Sequence, residues 1–325
     1  MCTRVLWNTN KVAVVVGRSM DWPESTEPKI AVLPRGMVRD GGKVDTVQVV
    51  KENSLKWKSK YGSVVVTAYG VGSVDGINEN GLGMNLLYLT NTDYGKREEG
   101  KGGIQSTLWG QYFLDNASTV QEALELMRGI QPVMAEYAGH RSSVHLSLED
   151  ASGDSAIIEY VRGELKVYHG KEYVVMTNDP TYDQQLEHMK TFNFKGATRE
   201  TPLPGNVDAV SRFVRASYFL QALREPKGKR EAVAAIMSIA RVASVPLNAP
   251  YKTPGTIYDT EYRTVLDLTD RRYFFELTTS PNVVWLELDQ FDLSEGAAVM
   301  SIDPDNIELS GDISSKLTRD EKFKF

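Results

Sequence analysis

The chain has 325 residues, of which 41% are hydrophobic and 25% are charged, an ordinary balance for a globular protein. Its formal net charge of −6 gives no basic footprint for nucleic acid or for an anionic membrane surface, so we expect neither as a partner. The single cysteine excludes an intrachain disulfide framework and a cysteine-based zinc site.

The sequence offers no segment that would cross a membrane or direct export. The longest apolar runs, Val12–Val16 and Ala232–Met237, are far shorter than the roughly 20 residues that a membrane helix needs. The N-terminus lacks the basic, apolar and small-residue regions of a signal peptide. As written, the chain is expected to be cytoplasmic; it would be periplasmic if a signal peptide had been removed ahead of the present Met1.

The first ninety residues predict strands and turns. Residues 35–60 are rich in Gly, Lys and Asp and are expected to form exposed loops with at most one edge strand. Residues 76–83 are rich in glycine but lack the lysine and spacing of a phosphate-binding loop, and turn chemistry explains them better. The predicted strands are Thr3–Asn8, Lys11–Gly17, Lys29–Leu33, Ser63–Ala68 and Met84–Leu89.

Helices and strands then alternate in groups. A helix is predicted over Ile104–Leu114, and a second follows the capping-box spacing of Ser118 and Gln121 and ends at Gly129. The charged tail after Asp303 is expected to be peripheral. The later strands are Ser143–Leu148, Ser155–Tyr160, Leu165–Tyr168, Tyr173–Thr177, Thr264–Leu268, Tyr273–Leu277 and Val283–Glu287, with helices at Asp208–Leu223 and Arg230–Val242.

Such segregated runs favour antiparallel sheets covered by helix layers, rather than a doubly wound parallel sheet. No repeat, long linker or compositional break divides the chain. We therefore expect residues 1–325 to form a single domain.

The only cysteine, Cys2, directly follows the initiator Met1. If an aminopeptidase removes Met1, the mature chain begins with a thiol and an α-amine on one residue. The thiol is a nucleophile, and an α-amine with a pKa of about 8 can act as its base. The alternative is that a cysteine stands at position 2 by chance.

Two charged residues follow an apolar strand in the segment Gly17–Trp22. An arginine such as Arg18 beside a thiol stabilises the thiolate, and an aspartate such as Asp21 beside an α-ammonium holds it in place. These are the helpers that an N-terminal cysteine needs. The alternative is a surface salt bridge beside a buried Trp22.

No metal site is predicted. The four histidines, His140, His145, His169 and His188, have no metal-ligand spacing, and the acidic tail has no calcium-loop spacing. Most of the histidines are expected to be structural or solvated; a Cys–His pair in space stays open, although no local pattern supports one.

Five ordered segments resemble the choloylglycine hydrolase family, which contains penicillin V acylases and conjugated bile salt hydrolases. They are Met-Cys-Thr at 1–3, Gly-Arg-Ser-Met-Asp-Trp at 17–22, Asn-Glu-Asn-Gly-Leu at 78–82, Met-Thr-Asn-Asp-Pro at 176–180 and Ser-Arg-Phe at 211–213. The resemblance implies an α+β N-terminal nucleophile (Ntn) hydrolase fold, a four-layer αββα sandwich with two antiparallel sheets. It also implies hydrolysis of linear amide bonds in small N-acyl substrates, no cofactor, and a homotetramer.

The resemblance implies roles for six residues. Cys2 would supply the nucleophilic sulfur and the basic amine, while Arg18 and Asp21 would tune the thiol and hold the amine. The side-chain amide of Asn178 and the backbone N–H of Tyr88 would stabilise the tetrahedral oxyanion. Arg212 would support Asp21 or the transition state.

Position 88 distinguishes the subfamilies. Bile salt hydrolases usually carry Asn where this chain has Tyr88, and penicillin V acylases resemble it in having Tyr. Trp22 resembles an aromatic residue of the Gram-negative penicillin V acylase branch, although a purely structural aromatic cluster is the alternative. Together with Met20, these rings would form a substrate-binding wall suited to a phenoxyacetyl group.

The sequence thus predicts an amidohydrolase that cleaves penicillin V to 6-aminopenicillanic acid and phenoxyacetate. A bile salt hydrolase or an N-acyl homoserine lactone acylase of the same family is the first alternative. From other classes, a noncatalytic binder of acylated small molecules and an ordinary Cys–His thiol enzyme remain open.

Overall fold

The structure is a computed structural model that describes residues 2–249 and 258–325. Met1 lies outside the described residues. The α-helices within these ranges are α1 (Trp109–Asn116), α2 (Val120–Met127), α3 (Tyr182–Met189), α4 (Ala209–Gln221) and α5 (Lys229–Val242).

The strands within the same ranges are mostly three to eight residues long. In chain order they are β1 (Cys2–Trp7), β2 (Val15–Asp21), β3 (Lys29–Leu33), β4 (Val38–Asp40), β5 (Lys43–Val44), β6 (Val47–Gln48), β7 (Lys56–Lys58), β8 (Ser63–Ala68), β9 (Gly72–Asn78), β10 (Gly83–Tyr88), β11 (Gly102–Gln105), β12 (Ile130–Val133), β13 (Glu136–Tyr137), β14 (His140–Arg141), β15 (Val144–Glu149), β16 (Ser155–Val161), β17 (Glu164–His169), β18 (Val175–Met176), β19 (Thr260–Asp267), β20 (Arg272–Leu277), β21 (Val284–Glu287), β22 (Met300–Ile302), β23 (Gly311–Asp312) and β24 (Thr318–Arg319).

Two large sheets organise the described chain. The first has seven strands in the order β18-β1-β2-β19-β20-β21-β23, and the second has nine in the order β17-β16-β15-β10-β9-β8-β3-β22-β24. Neighbouring strands are antiparallel except β21 and β23, which are parallel. The nine-stranded sheet is antiparallel throughout.

Side chains of the nine-stranded sheet alternate between two hydrophobic cores. On β3, Ile30 and Val32 belong to the core shared with the seven-stranded sheet, whereas Ala31 and Leu33 belong to the core that contains Trp109 of α1. Successive residues of a strand point to opposite faces, so an apolar run with no polar positions means that both faces are covered.

Helices cover the outer face of each sheet. Helices α4 and α5 pack on the seven-stranded sheet, and α1 packs on β9 and β10 of the nine-stranded sheet. Gly17 of β2 lets α5 approach closely, because a Cβ at this position would lie 2.5 Å from Ile236 Cγ2. The layers therefore run helix, sheet, sheet, helix, and the predicted four-layer αββα sandwich with two antiparallel sheets is confirmed.

Several element predictions were wrong in detail. Residues 76–83, for which a turn was predicted, include the last three residues of β9. The turn itself is confined to residues 79–82, between β9 and β10. The helix predicted over Ile104–Leu114 begins only at Trp109, because Gly102–Gln105 pairs with β12 in parallel. The predicted strand Lys11–Gly17 begins at Val15, since Asn10 Oδ1 accepts hydrogen bonds from the N–H groups of the two residues 12 and 13 instead.

Two regions have more structure than the sequence indicated. Helix α3 was not predicted, and the tail after Asp303 supplies β23 and β24, the outermost strands of the two sheets. Within the described ranges, no helix is both long and apolar enough to span a bilayer.

Candidate active site

Cys2 opens β1, a strand inside the seven-stranded sheet between β18 and β2. Its register partner on β2 is Met20, and its side chain is only 2% exposed. Cys2 Sγ accepts a hydrogen bond from Arg18 Nη2 across 3.3 Å and lies 3.6 Å from Met20 Sδ. The thiol is therefore fixed by a rigid strand and faces a cation.

Arg18 is itself held by the second sheet. Its Nη1 donates to Asp75 Oδ2 across 3.2 Å and to the Val74 carbonyl oxygen across 2.7 Å. The hydroxyl of Tyr273 donates to the other oxygen of the same carboxylate. Burial acts to lower the pKa of Arg18, but the charges of Cys2 and Asp75 outweigh burial and raise that pKa. The guanidinium therefore remains a fixed positive charge beside the sulfur.

Asn178 contacts the backbone nitrogen of the same cysteine. Its Oδ1 accepts from Cys2 N across 2.5 Å and from Arg212 Nη2 across 2.9 Å, while its Nδ2 donates to the Tyr88 carbonyl oxygen across 2.7 Å. Two donors on the oxygen define the orientation of the amide. An amide nitrogen carries two N–H groups, and only one of those of Asn178 is used by the Tyr88 carbonyl.

Arg212 reaches the site from α4. Its Nη1 donates to the Cys2 carbonyl oxygen across 2.6 Å and to Thr3 Oγ1 across 2.5 Å. The same nitrogen lies 3.5 Å from Asp21 Oδ2, and Asp21 Oδ1 accepts from Thr260 Oγ1 across 2.6 Å. Arg212 thus connects the first residue of β1, the amide of Asn178 and the end of β2.

The backbone of Tyr88 points toward Asn178. The next residue, Leu89, donates its N–H to the Ser143 carbonyl across 2.9 Å, and Tyr88 is the register partner of Val144. Hydrogen-bonded and non-hydrogen-bonded pairs alternate along an antiparallel ladder, so the N–H and C=O of Tyr88 face away from β15. The carbonyl meets Asn178, and the N–H lies on the same side.

A largely apolar cavity opens beside the sulfur. It contains roughly 720 Å³ of space, including its open mouth, and Cys2, Met20, Trp22 and Tyr88 all line it. The Trp22 ring lies 5.6 Å from the Tyr88 ring between centroids, and its Nε1 donates to the Tyr69 hydroxyl across 2.9 Å. All eight residues that the sequence singled out therefore lie together around one thiol and one cavity.

Sequence reasoning missed other residues of this cavity. Tyr69, Tyr137, His140 and Arg141 line it, and they come from a turn and a short hairpin that carry no motif. His140 was expected to be structural or solvated, but its ring lies edge-on to Trp22 at 5.2 Å and its Nε2 contacts Glu24 Oε1 across 2.8 Å. No sequence signal marked these residues, because the tertiary fold alone brings them to the cavity.

In the described part of the chain, no cluster of three or more His, Cys, Asp or Glu side chains is arranged to hold a metal ion. The polar groups at the sulfur instead suit acyl chemistry. A thiol beside a cation is a potential nucleophile, and N–H donors that converge beside it can stabilise an oxyanion.

An αββα sandwich whose first strand begins with a cysteine defines the class of N-terminal nucleophile hydrolases. The sequence model of a protein family, described as linear amide C-N hydrolases, choloylglycine hydrolase family, matches residues 2–309 of this chain. The chain belongs to this family, as its motifs indicated, and is a linear amide C–N hydrolase.

Relatives of known name support the same assignment. The chain is 35% identical over 353 aligned positions to penicillin V acylase of Pectobacterium atrosepticum, covering all of this chain and 92% of the relative. A bile salt hydrolase/transferase of Bifidobacterium longum is 26% identical, covering 67% of this chain and 73% of that relative.

Solved structures share the fold. A penicillin V acylase from Agrobacterium tumefaciens superposes with a TM-score of 0.87 at 37% identity, covering all of this chain and 99% of that one. A conjugated bile acid hydrolase from Clostridium perfringens has a TM-score of 0.78 at 20% identity, covering 96% and 98% of the two chains, which shows a common fold.

Proposed function

We propose that the chain, once Met1 is removed, is an N-terminal cysteine amidohydrolase that cleaves penicillin V to 6-aminopenicillanic acid and phenoxyacetate. The observation that carries the proposal is that Cys2 is held at both of its reactive groups. Arg18 donates to its sulfur across 3.3 Å, and Asn178 accepts from its nitrogen across 2.5 Å. One residue then presents nucleophile and base in fixed positions.

In the first half of the reaction, the Cys2 thiolate attacks the amide carbonyl carbon and a C–S bond forms. The carbonyl oxygen becomes an oxyanion, which the free N–H of Asn178 and the backbone N–H of Tyr88 stabilise. Such donors act strongly because they are fixed before the charge develops. The C–N bond then breaks, the α-ammonium of Cys2 protonates the departing amine, and a thioester remains.

In the second half, the α-amine of Cys2 takes a proton from water. The resulting hydroxide adds to the thioester carbonyl, and collapse of the second tetrahedral intermediate breaks the C–S bond. The acid leaves, and the α-ammonium gives its proton to the released sulfur, which regenerates the thiol and the neutral amine. Asp21 and Arg212 would keep the amine and the first peptide of β1 in place, since Arg212 contacts the Cys2 carbonyl oxygen and Asp21.

The shape of the cavity supports an aryloxyacetyl substrate. The rings of Trp22 and Tyr88 form one wall, and Met20 extends that wall to the sulfur. A phenyl ring gains both buried area and edge or face contacts in such surroundings. We further propose that residues 1–325 act as one domain, since the first strand, β1, and the last strand, β24, lie in the two facing sheets. We also propose that the protein assembles as a homotetramer, as the family resemblance implies.

The first experiment uses untagged protein whose intact mass confirms that Met1 is absent. Incubation with penicillin V should release a primary amine, and the Cys2→Ala protein should release none while retaining its unfolding midpoint. Wild-type rates in Cys2→Ala would refute the mechanism. No release by correctly processed protein would refute the penicillin V assignment, and conjugated bile salts and N-acyl homoserine lactones would then be assayed in its place.

A further inference from the structure

One residue of the cavity wall carries a permanent charge. Among the described residues that line the cavity, Arg141 is the only arginine, and none is a lysine, an aspartate or a glutamate. It is exposed, at the end of the short strand β14. A cation on the wall of an apolar cavity is a recognition element for an anion.

The guanidinium has no competing carboxylate in contact with it. Its register partner across the hairpin is Glu136, and its backbone carbonyl accepts from Ser143 N, yet no ion pair or hydrogen bond joins the Arg141 guanidinium to any residue within the described ranges. Glu24 contacts His140 and accepts from the Tyr69 hydroxyl, and Asp179 accepts from Thr90, so these contacts of both carboxylates are with residues other than Arg141. The charge of Arg141 is therefore available to a ligand.

Arg141 lines the same cavity as Cys2 and comes three residues before Val144, the register partner of Tyr88. Burial raises the pKa of the Tyr88 hydroxyl, and the positive charge of Arg141 opposes that rise, which shows that the two side chains are within electrostatic reach. The backbone carbonyl of Tyr88 is bound by Asn178, which contacts Cys2. An anion held by Arg141 would thus lie in the same cavity as the thiol.

The two parts of an N-acyl amine fit different regions of the cavity. Its buried wall includes Leu86, Val71 and Met20, which suit the desolvated acyl group. The exposed side, with Arg141, suits the hydrophilic amine part, which can keep contact with water.

We propose that Arg141 is a specificity-determining residue that binds an anionic group, such as a carboxylate, on the amine part of the substrate. This inference rests on the proposed amidohydrolase function and narrows its substrate class to N-acyl amines with an acidic substituent near the amide nitrogen. Penicillin V carries such a carboxylate. The lactone of an N-acyl homoserine lactone is uncharged and gains nothing from Arg141.

The test uses two substrates with the same acyl group, N-phenoxyacetylglycine, which carries a carboxylate, and its uncharged N-methylamide. For the wild-type enzyme, we expect kcat/KM to favour the carboxylate by about two- to fivefold, mainly through KM, as for an exposed ion pair. Arg141→Gln should bring the ratio of the two kcat/KM values close to one, whatever its effect on the neutral substrate, and Arg141→Lys should keep most of the preference. Arg224→Gln is the matched control, because it removes an exposed arginine that does not line the cavity.

Binding to the Cys2→Ala protein separates this proposal from the proposed function. Calorimetric Kd values for the two compounds should show the same ratio, again lost in Arg141→Gln, even if no turnover occurs. Failure of the wild-type enzyme to hydrolyse either compound would refute the amidohydrolase assignment for aryloxyacetyl amides. An anionic preference that persists in Arg141→Gln, or that is absent from both assays of the protein with Arg141 intact, would overturn the role of Arg141.

Discussion

The guanidinium of Arg18 donates to the sulfur of Cys2 across 3.3 Å, although the two residues are not register partners. The opposite side of the guanidinium is bound to Asp75 on β9, a strand of the other sheet. The contact therefore joins the two sheets of the sandwich at the thiol. A fixed cation that is anchored from behind can stabilise a thiolate without moving toward it.

Replacing Arg18 should weaken the thiolate. In Arg18→Gln, the charge-assisted hydrogen bond to sulfur is lost, and such bonds contribute about 1.5–3 kcal/mol. We expect kcat/KM for penicillin V to fall at least about tenfold and the rate of iodoacetamide alkylation of Cys2 at neutral pH to fall with it. Intact-mass kinetics against pH measure the second effect, and the whole alkylation profile should move to higher pH.

A conservative variant controls for damage to the fold. Arg18→Lys keeps a positive charge but loses the paired donors that reach Asp75 and Val74 together. Its alkylation profile should lie between those of the wild type and Arg18→Gln. Identical profiles for all three proteins would show that Arg18 does not act on the sulfur.

Changes at Asn178 should separate its acceptor and donor roles. Asn178→Asp keeps an oxygen that can accept from Cys2 N and from Arg212, but it removes the amide N–H groups and adds a negative charge near the oxyanion. Loss of one oxyanion donor typically costs about 10²–10³ in kcat. We expect at least that loss in Asn178→Asp, with the alkylation rate of Cys2 measured in parallel. A kcat near that of the wild type would contradict the donor role.

The sequence predicted the layered fold and the residues around the sulfur because both leave local patterns. Cys2 follows Met1, and Arg18 follows an apolar strand, so each is visible within a few positions. Asp75 was missed because β9 reads Gly-Ser-Val-Asp-Gly-Ile-Asn, with buried polar residues on both faces and no apolar alternation. The partner of this carboxylate, Arg18, lies 57 positions earlier in the sequence, so no local pattern connects the two residues.

The cavity wall was harder to predict for the same reason. Trp22 could be inferred beside Asp21, but Tyr69, His140 and Arg141 belong to a turn and a hairpin without a motif. The hairpin that carries His140 and Arg141 lies next to Tyr88 because β10 pairs with β15, the strand that follows the hairpin. Local sequence patterns do not specify such long-range contacts.

A side chain at Gly17 should destabilise the sandwich. A Cβ there would lie 2.5 Å from Ile236 Cγ2 and 3.7 Å from Ala240 Cβ on the covering helix α5. Overpacking of this kind costs about 1–3 kcal/mol, so Gly17→Ala should lower the free energy of unfolding in urea by that amount. The control is Gly205→Ala, because a Cβ at that position meets nothing within 4 Å.

A second substitution tests the cause of that loss. Truncating the opposing side chain in Gly17→Ala/Ile236→Ala should make the two changes non-additive, with the double variant more stable than the sum of the single effects predicts. Strict additivity would mean that the new methyl group does not meet Ile236.

Asp208 should contribute stability that depends on pH. It caps α4, which carries Arg212, and its carboxylate accepts from Ser211 N across 2.9 Å and from Ser211 Oγ across 2.7 Å. Burial acts to raise the pKa of Asp208, but the hydrogen bonds from Ser211, with the charge of Arg212, outweigh burial and lower that pKa below its ordinary value of 3.8.

The sign of the effect follows from this lowered pKa. The folded protein favours the ionised carboxylate, so its contribution is fully present above the ordinary pKa and is lost as the pH falls through the lower pKa of the folded state. Asp208→Ala should cost about 1 kcal/mol at pH 7, a typical value for a helix N-cap. Urea unfolding of both proteins at pH 7 and again near pH 3 should show the difference shrinking at the lower pH. A difference that stays constant or grows on acidification would mean that the ionised form of Asp208 does not stabilise α4.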